Sequence, residues 1–257
     1  MTQTLHLAPL AASLAVLAAA IMPAAARAAE RPAIVLVHGA WADGSSWSKV
    51  IPLLKAKGLK VVAVQLPLSS LAEDAAATGR AIAQQGGPVI LVGHSWGGEV
   101  ITQAGGDAKV AGLVYVAGWA PDTGQSLLQA GAGYPASPGA PTVVPDAAGW
   151  LSIPAESFVV NFAQDLPKAE AALLAATQGP VKGSAFGEPV TVVAWKAKPT
   201  WYVVAGQDRM IDPGLEAMFA KRMKAKTILL PSSHVAMLSH PVEVANLIIE
   251  AADSANK

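Results

Sequence analysis

The chain has 257 residues, no cysteine, and 18 basic side chains against 18 acidic ones. This length suits one domain, or one domain with a modest insertion. The lack of cysteine excludes disulfides, thiolate metal sites and a cysteine nucleophile, and a formal net charge of zero gives no electrostatic reason to expect nucleic acid as a partner.

The N-terminal segment differs in character from the rest of the chain. Leu10 to Met22 is an apolar stretch with the length of a signal-peptide core, and it is too short to span a bilayer comfortably. Ala26-Arg27-Ala28 then offers small residues at alternate positions, as signal peptidase requires. The segment before the stretch has no Lys or Arg, so a retained apolar helix is the alternative. We therefore expect residues 1–28 to be a signal peptide and residues 29–257 to be exported, periplasmic or secreted, with no stable membrane anchor after processing.

Four continuous runs of apolar and β-branched residues follow, and such runs are typical of strands buried on both faces. The runs are Ala33–Val37, Val61–Val64, Val89–Val92 and Val110–Val116. Helix-like segments lie between them, at Trp47 to Lys57 and at about Leu71 to Gln85, and each is followed by glycine. This alternation predicts a mostly parallel, doubly wound sheet with helices on both faces.

The alternation lapses at about residues 119–198 and then resumes. The interruption is rich in Pro and Gly around Tyr134 to Pro141, and its second half predicts helices near Ala155–Gln164 and Pro167–Thr177. The later predicted elements are a strand at Thr200–Val204, a helix at Pro213–Lys224, a strand at Lys226–Leu230 and a helix at Pro241–Ala252. We therefore expect a helical cap inserted into one domain, above the edge where open sheets bind ligands.

Gly93-His94-Ser95-Trp96-Gly97 matches the G-x-S-x-G pattern of a nucleophile elbow. It lies directly after a predicted strand and before a predicted helix at Glu99–Ala104, which is the context that the elbow requires. The flanking glycines leave room for a sharp turn where side chains would collide. The pattern indicates that Ser95 is a nucleophile; the alternative is a glycine-rich turn with an incidental serine.

Chain order selects the partners of this serine, since in α/β-hydrolases the order is Ser, then Asp or Glu, then His. The other histidines are His6 in the leader, His38 and His94 in loops, and His240 before a proline. His234 follows a late strand, which makes it the expected base. Asp208 ends the strand before it and is the expected acid; Asp122 is a rival and Asp212 is the third choice.

Two backbone N–H groups are expected to stabilise the oxyanion. One belongs to the residue after the nucleophile, which is Trp96, and the other comes from the loop after an earlier strand, where Ala40 is the best candidate. His38 lies in that loop, and we expect its ring to support the loop by hydrogen bonding, because a single base is needed.

Several segments resemble the α/β-hydrolase branch that contains plant methyl esterases, hydroxynitrile lyases and bacterial esterase-like proteins. They are Val35–Trp41, Trp47–Gly58, Gly93–Ser95 and Ser233–Pro241. The resemblance covers most of residues 32–252. It implies an acid after the late strand, which supports Asp208, oxyanion donors at Ala40 and Trp96, and a cap over a largely apolar pocket for small esters.

The chain departs from the hydroxynitrile lyases at two positions. Those enzymes carry a lysine directly after the catalytic histidine and a threonine in the oxyanion loop, whereas this chain has Val235 and Ala40. The resemblance therefore favours hydrolysis over cyanohydrin cleavage.

The expected activity is hydrolysis of small carboxylic esters through an acyl-enzyme, with no metal and no organic cofactor. Trp41 and Trp119 are expected to line the substrate pocket, and bulky Trp96 is expected to restrict it to small or flat substrates. Trp150, Phe158, Phe162 and Trp195 could either line this pocket or pack within the cap. Amide or thioester hydrolysis, perhydrolysis, a lyase-like reaction and a non-catalytic small-molecule binding protein are the alternatives, and a homodimer is an open option.

Overall fold

The computed structural model describes residues 1–2 and 31–255. The apolar stretch from Leu10 to Met22 and the predicted processing site near Ala29 therefore lie outside the described residues. Within the described ranges, no helix combines the length and the apolar character that a membrane crossing requires.

A six-stranded parallel sheet forms the centre of the fold. Its strands are β1 (Ala33–Val37), β2 (Val61–Ala63), β3 (Val89–His94), β4 (Val110–Val116), β8 (Thr200–Ala205) and β9 (Lys226–Leu230). Their spatial order is β2-β1-β3-β4-β8-β9. The chain therefore adds β2 on one side of β1 and all later strands on the other side, and the strand order reverses between β1 and β3. Val37 is paired with Gly93 there, which brings the loops after these two strands side by side. Open sheets bind ligands at such a switch point.

The helices explain why the strands are continuously apolar. The main ones are α1 (Val50–Ala56), α2 (Leu71–Ala83), α3 (Trp96–Ala104), α7 (Pro213–Arg222) and α9 (Pro241–Ser254), with the short α8 (Ala236–Ser239) before the last. Helix α1 packs against α9, and α2 packs against α3. Every residue of β1 and of β3 is buried, because helices cover both faces of a doubly wound sheet. The predicted parallel sheet with its helices is thus confirmed.

The segment between β4 and β8 forms a cap of mixed structure. It contains α4 (Leu127–Ala130), β5 (Val144–Pro145), β6 (Trp150–Ser152), α5 (Ala155–Ser157), α6 (Lys168–Thr177) and β7 (Val181–Lys182). Strands β5, β6 and β7 form a small antiparallel sheet. The predicted helical cap thus also contains a small sheet that was not predicted, because strands of two or three residues are too short to show the alternation by which a strand is recognised.

One predicted cap helix also differs from expectation. The pattern predicts a helix over Ala155–Gln164, but the chain forms the single turn α5 and then a π-helical turn over Phe158–Phe162. The N–H of Ala163 donates to the carbonyl of Phe158 over 3.1 Å, which is the wider π-type spacing. The rings of Phe158 and Phe162 stack with centroids 4.3 Å apart. Ring stacking accompanies this wider turn, which an apolar periodicity alone does not reveal.

Close backbone packing fixes the start of α3 against the sheet. A Cβ atom on Gly97 would lie 2.5 Å from the carbonyl oxygen of Val37 and 2.6 Å from that of His38. A Cβ on Gly93 would lie 2.4 Å from the carbonyl oxygen of Gly97. Backbone oxygens inside a packed sheet cannot move aside as a flexible side chain could, so these positions require glycine.

Replacing Gly97 with Ala should destabilise the fold by at least about 2 kcal/mol, because the new methyl group overlaps two fixed carbonyl oxygens. Gly79→Ala in α2 is the matched control, since a Cβ there meets no atom within 4 Å. The control should be neutral or stabilising by up to about 1 kcal/mol, since alanine favours the helix. Denaturant unfolding measures both changes, and equal effects would contradict the packing argument.

Candidate active site

Ser95 lies between the end of β3 and the first residue of α3 in a strained conformation. Its φ of 50° and ψ of −120° are unfavourable for any residue with a side chain. The Ser95 N–H donates to the carbonyl of Val116 over 3.2 Å. Its carbonyl accepts the N–H of Gly98 over 2.9 Å and that of Trp119 over 3.0 Å. Three backbone hydrogen bonds therefore hold the serine in a conformation that it would not adopt alone.

His234 and Asp208 form a buried pair at the ends of the last two strands of the central sheet. The Nδ1 atom of His234 lies 2.5 Å from Oδ2 of Asp208, and both side chains are almost completely shielded from solvent. The other oxygen, Oδ1, accepts the N–H groups of Met210 and Ile211 over 2.6 Å and 3.0 Å. Nε2 of His234 makes no hydrogen bond within the described chain, and this ring lines the same cavity as Ser95. The structure thus brings together the three residues of the predicted triad.

The two rival acids lie elsewhere and have other partners. Asp122 forms an ion pair with Lys196 near the surface, and this hydrogen-bonded lysine lowers the pKa of the carboxyl below its ordinary value. Asp212 caps α7, where its Oδ1 accepts the N–H groups of Gly214 and Leu215. Asp208 is therefore the acid of the three that is hydrogen-bonded to His234.

Two further buried histidines support the surrounding loops. The Nε2–H of His94 donates to the carbonyl of His234 over 2.9 Å. Burial, with a smaller effect of neighbouring His234, lowers the pKa of His94 well below its ordinary value, so this ring stays neutral. His38 donates from Nδ1 to the carbonyl of Gly39 over 2.8 Å and accepts the N–H of Leu66 at Nε2 over 3.0 Å. Burial lowers its pKa as well, and both ring nitrogens of His38 are occupied by backbone groups.

The two candidate oxyanion donors lie beside Ser95. Trp96 is the first residue of α3, so its N–H has no partner inside the helix. Ala40 lines the cavity from the loop after β1, and a Cβ on neighbouring Gly39 would lie only 2.8 Å from the Cβ of Ser95. Neither N–H makes a backbone hydrogen bond to another described residue. Both groups are available to an anion formed at the serine.

A mainly apolar cavity of about 240 Å³ opens at the serine. The predicted residues Trp41, Trp96 and Trp119 all line it, whereas Trp150, Phe158, Phe162 and Trp195 do not. Phe162 nevertheless lies next to the site, because its ring packs edge-on against that of His234 with centroids 4.9 Å apart. The remaining lining residues were not predicted; they are Leu127, Leu128, Ala140, Val143, Leu151, Phe186, Met210 and Ile211. Among the described residues that line it, His234 is the one with an ionisable side chain.

The ring of Trp96 is anchored by the buried carboxyl group of Asp74, which was not among the predicted site residues. Its Nε1–H donates to Oδ2 of Asp74 over 2.7 Å, and Oδ1 of Asp74 accepts the N–H of Leu68 over 2.8 Å. Burial raises the pKa of Asp74 to about 6 despite these hydrogen bonds. A signal was present, because Asp74 lies at helical spacing from Leu71, Ala77 and Ala81 on the buried face of α2. An acidic residue on an apolar face marks a specific polar contact.

Comparisons with known proteins show which proteins this chain is similar to. The alpha/beta hydrolase family model matches residues 34–247. The chain is 26% identical over 244 residues to the probable hydrolase R7 of Phoma sp., with 86% of this chain and 98% of that protein covered.

Two solved structures share the fold. A pyrethroid hydrolase from Sphingobium faniae has a TM-score of 0.74 and 24% identity, covering 87% of this chain and 98% of the other. Polyneuridine aldehyde esterase has a TM-score of 0.74 and 19% identity, covering 86% and 99% of the two chains. The chain therefore matches these proteins over nearly their whole length.

Replacing Asp74 with Asn should change how stability depends on pH. Burial raises the pKa of Asp74 from 3.8 to about 6 in the folded state, so the folded chain binds this proton more tightly than the unfolded chain. The contribution of this proton to the free energy of unfolding is complete below about pH 4 and is lost as the pH rises through 6. The upper limit of this contribution is about 3 kcal/mol. The Tm of the native protein minus that of Asp74→Asn should therefore fall between pH 4 and pH 8. Thermal unfolding across this range checks it; a constant difference would contradict the assignment.

Proposed function

The chain belongs to the alpha/beta hydrolase family, and from this premise we propose that it is a serine hydrolase that cleaves small, uncharged carboxylic esters. One observation carries the proposal: Ser95 in a strained elbow shares an apolar cavity with His234, whose other ring nitrogen is hydrogen-bonded to Asp208. The esterase among its structural neighbours supports the choice of an ester as substrate.

Acylation begins at the unpartnered ring nitrogen of the base. Asp208 accepts the Nδ1–H of His234, which leaves Nε2 free to take the hydroxyl proton of Ser95. The serine Oγ then attacks the ester carbonyl, and the resulting oxyanion accepts hydrogen bonds from the N–H groups of Ala40 and Trp96. When the carbon–oxygen ester bond breaks, the protonated His234 gives its proton to the departing alcohol.

Deacylation repeats these steps with water as the nucleophile. His234 accepts a proton from a water molecule as the water oxygen attacks the acyl carbon. The same two backbone N–H groups stabilise the second oxyanion. The bond to the Ser95 Oγ then breaks, His234 returns its proton to the serine, and the carboxylic acid leaves. The ester and this water molecule are the two co-reactants, and with them both half-reactions balance in atoms and protons.

The cavity limits which esters can react. Its volume of about 240 Å³ lies below the roughly 300–1,000 Å³ of pockets for drug-sized ligands. The anchored ring of Trp96 and the edge-packed rings of Trp41 and Phe186 form rigid walls. Among the described residues, no Lys or Arg lines the cavity, and the one imidazole there, that of His234, is already paired with Asp208, so a substrate carboxylate would be desolvated there without a cationic partner. Small uncharged acyl groups fit both limits.

Ser95→Ala should abolish hydrolysis of p-nitrophenyl acetate, with a loss in kcat of up to about 10⁶ as for other triad serines. The reason is that no other side chain in the cavity can be acylated at the same place. Steady-state kinetics on the purified protein measure the loss, and mass spectrometry after a fluorophosphonate probe should show labelling of Ser95 alone. Equal rates for the two proteins would refute the hydrolase proposal.

Asp208→Asn should lower kcat by about 10⁴, because the amide stabilises the wrong tautomer of the histidine. Asp122→Asn is the control, since Asp122 pairs with Lys196 away from the cavity, and its rate should stay near that of the native protein. If the change at Asp122 were the more damaging, the assignment of the acid would be wrong.

The cavity predicts a steep preference among p-nitrophenyl esters. The ratio kcat/KM should be highest for short acyl chains and should fall once the chain exceeds the space beside Trp96. An ester whose acyl group ends in a carboxylate should react at least about a hundredfold more slowly than an uncharged ester of equal length, because the charge loses its hydration. A series from acetate to dodecanoate with a hemisuccinate tests both points; a preference for long chains would contradict them.

A further inference from the structure

Two consecutive residues of the cap, Gln164 and Asp165, contact the loops that carry the proposed acid and base. Nε2 of Gln164 donates to the carbonyl of Gln207 over 2.6 Å. Oδ2 of Asp165 accepts the N–H of Ser233 over 2.8 Å. Each of these partners directly precedes the acid or the base in the chain. One dipeptide therefore holds the backbone next to both members of the pair.

We propose that Gln164 and Asp165 form a positioning clamp that keeps Asp208 and His234 in hydrogen-bond contact. The clamp rests on the proposed function in that its purpose is to support the general base, but its geometry can be tested without turnover. Neither residue touches the reacting atoms, so both act through the loops that they hold.

The clamp side chains make no other hydrogen bonds that would explain their presence. Oε1 of Gln164 and Oδ1 of Asp165 are both buried without a partner in the described chain. The one hydrogen bond that each of these side chains makes in the described chain is to a loop of the candidate active site and not to another residue of the cap. Burying a carboxylate oxygen without a hydrogen-bond partner lowers the free energy of unfolding. Because Asp165 is destabilising in this respect, we infer that the hydrogen bond of its other oxygen has a role beyond folding the cap.

The two loops are also connected to each other and to β3. The N–H of Gly206 donates to the carbonyl of Leu230 over 2.8 Å, that of Gln207 donates to the carbonyl of Ser232 over 3.0 Å, and His94 donates to the carbonyl of His234. None of these three contacts involves the cap, whereas the clamp joins both loops to it. The hydrogen bond between Nδ1 of His234 and Oδ2 of Asp208 forms only when both loops are correctly positioned. Displacing a catalytic group by about 1 Å can lower the rate of an enzyme by about a hundredfold.

The two halves of the clamp differ in importance. The acid loop has further cap contacts, since the carbonyl of Arg209 accepts the N–H of Gly139 and that of Met210 accepts the hydroxyl of Ser137, each over 2.7 Å. On the base loop, the N–H of Ser233 has Asp165 as its acceptor, and the ring of Phe162 from the cap packs edge-on against His234 without a hydrogen bond. The loss of Asp165 should therefore disturb the pair more than the loss of Gln164.

Asp165→Ala, Asp165→Asn and the control Asp146→Ala test the proposal. Asp146 is also a cap aspartate that accepts backbone N–H groups, but its partners, Ala148 and Trp150, lie within the cap. Nitrogen NMR of isotope-labelled histidine reports whether the Nδ1 proton of His234 is hydrogen-bonded. Native protein, Asp165→Asn and Asp146→Ala should show this bond, because the Asn oxygen can accept the same N–H; Asp165→Ala should lose it or populate the other tautomer.

Kinetics with a short ester provide the second readout. Asp165→Ala should lower kcat by about tenfold to a hundredfold with little change in KM, because the base is misplaced while the cavity is intact. Asp165→Asn and Asp146→Ala should stay near the native value. If Asp165→Ala kept both the His234 signal and the kcat of the Asp146→Ala control, the clamp would be refuted.

The outcomes separate the clamp from the proposed function. A native protein without turnover, in which Asp165→Ala alone still changes the His234 signal, would refute ester hydrolysis and support the clamp. If Asp165→Ala does not fold, Gln164→Glu decides, because this near-isosteric change sets an oxygen against the carbonyl of Gln207. Gln178→Glu is the cap control, since Nε2 of Gln178 donates to the carbonyls of Ile153 and Ala175 within the cap. A changed His234 signal relative to this control supports the clamp, and an unchanged one refutes it.

Discussion

The site depends on one steric constraint, the contact of three backbone segments at the point where the sheet reverses its strand order. The loop after β1, the elbow after β3 and the first turn of α3 meet without side chains between them. A Cβ on Gly39, Gly93 or Gly97 would come within 2.9 Å of atoms in the neighbouring segment. This contact brings Ala40 and Trp96 to the same cavity as Ser95, next to a serine whose φ and ψ are unfavourable for a residue with a side chain.

Burial then determines which groups near the serine carry charge. His94 stays neutral because burial lowers its pKa, so it can donate one hydrogen bond without repelling a protonated His234. Glu216 lies beneath the acid with Oε2 accepting the N–H of Ala205. Burial and the charge of nearby Asp208 raise the pKa of Glu216 well above its ordinary value, so it stays protonated. In the proposed mechanism, a protonated His234 would therefore face one carboxylate in a medium where that charge is poorly screened.

The sequence predicts the sheet and the triad because both have local signatures. Continuous apolar runs mark the strands, and a serine between glycines after such a run marks the elbow. The cap could not be predicted in this way. Its strands contain two or three residues, and Phe186 reaches the cavity from a 3-10 turn without periodicity. Asp74 had a signal in its helical spacing, whereas the hydrogen bonds of Gln164 and Asp165 span 43 and 68 residues of chain, a distance over which no pattern specifies a partner.

The cap is also hydrogen-bonded to the segments that carry the proposed nucleophile, acid and base. The N–H of Trp119, where the cap begins, donates to the carbonyl of Ser95, and Gln164 and Asp165 of the cap are bonded to the loops of the proposed acid and base. Trp119 also lines the cavity, so one residue both bounds the space for a substrate and contacts the elbow. In the proposed enzyme, a change that displaces Trp119 is therefore expected to alter both the shape of the cavity and the support of the serine. The proposed clamp likewise assigns part of the support of the acid and the base to an inserted segment and not to the sheet alone.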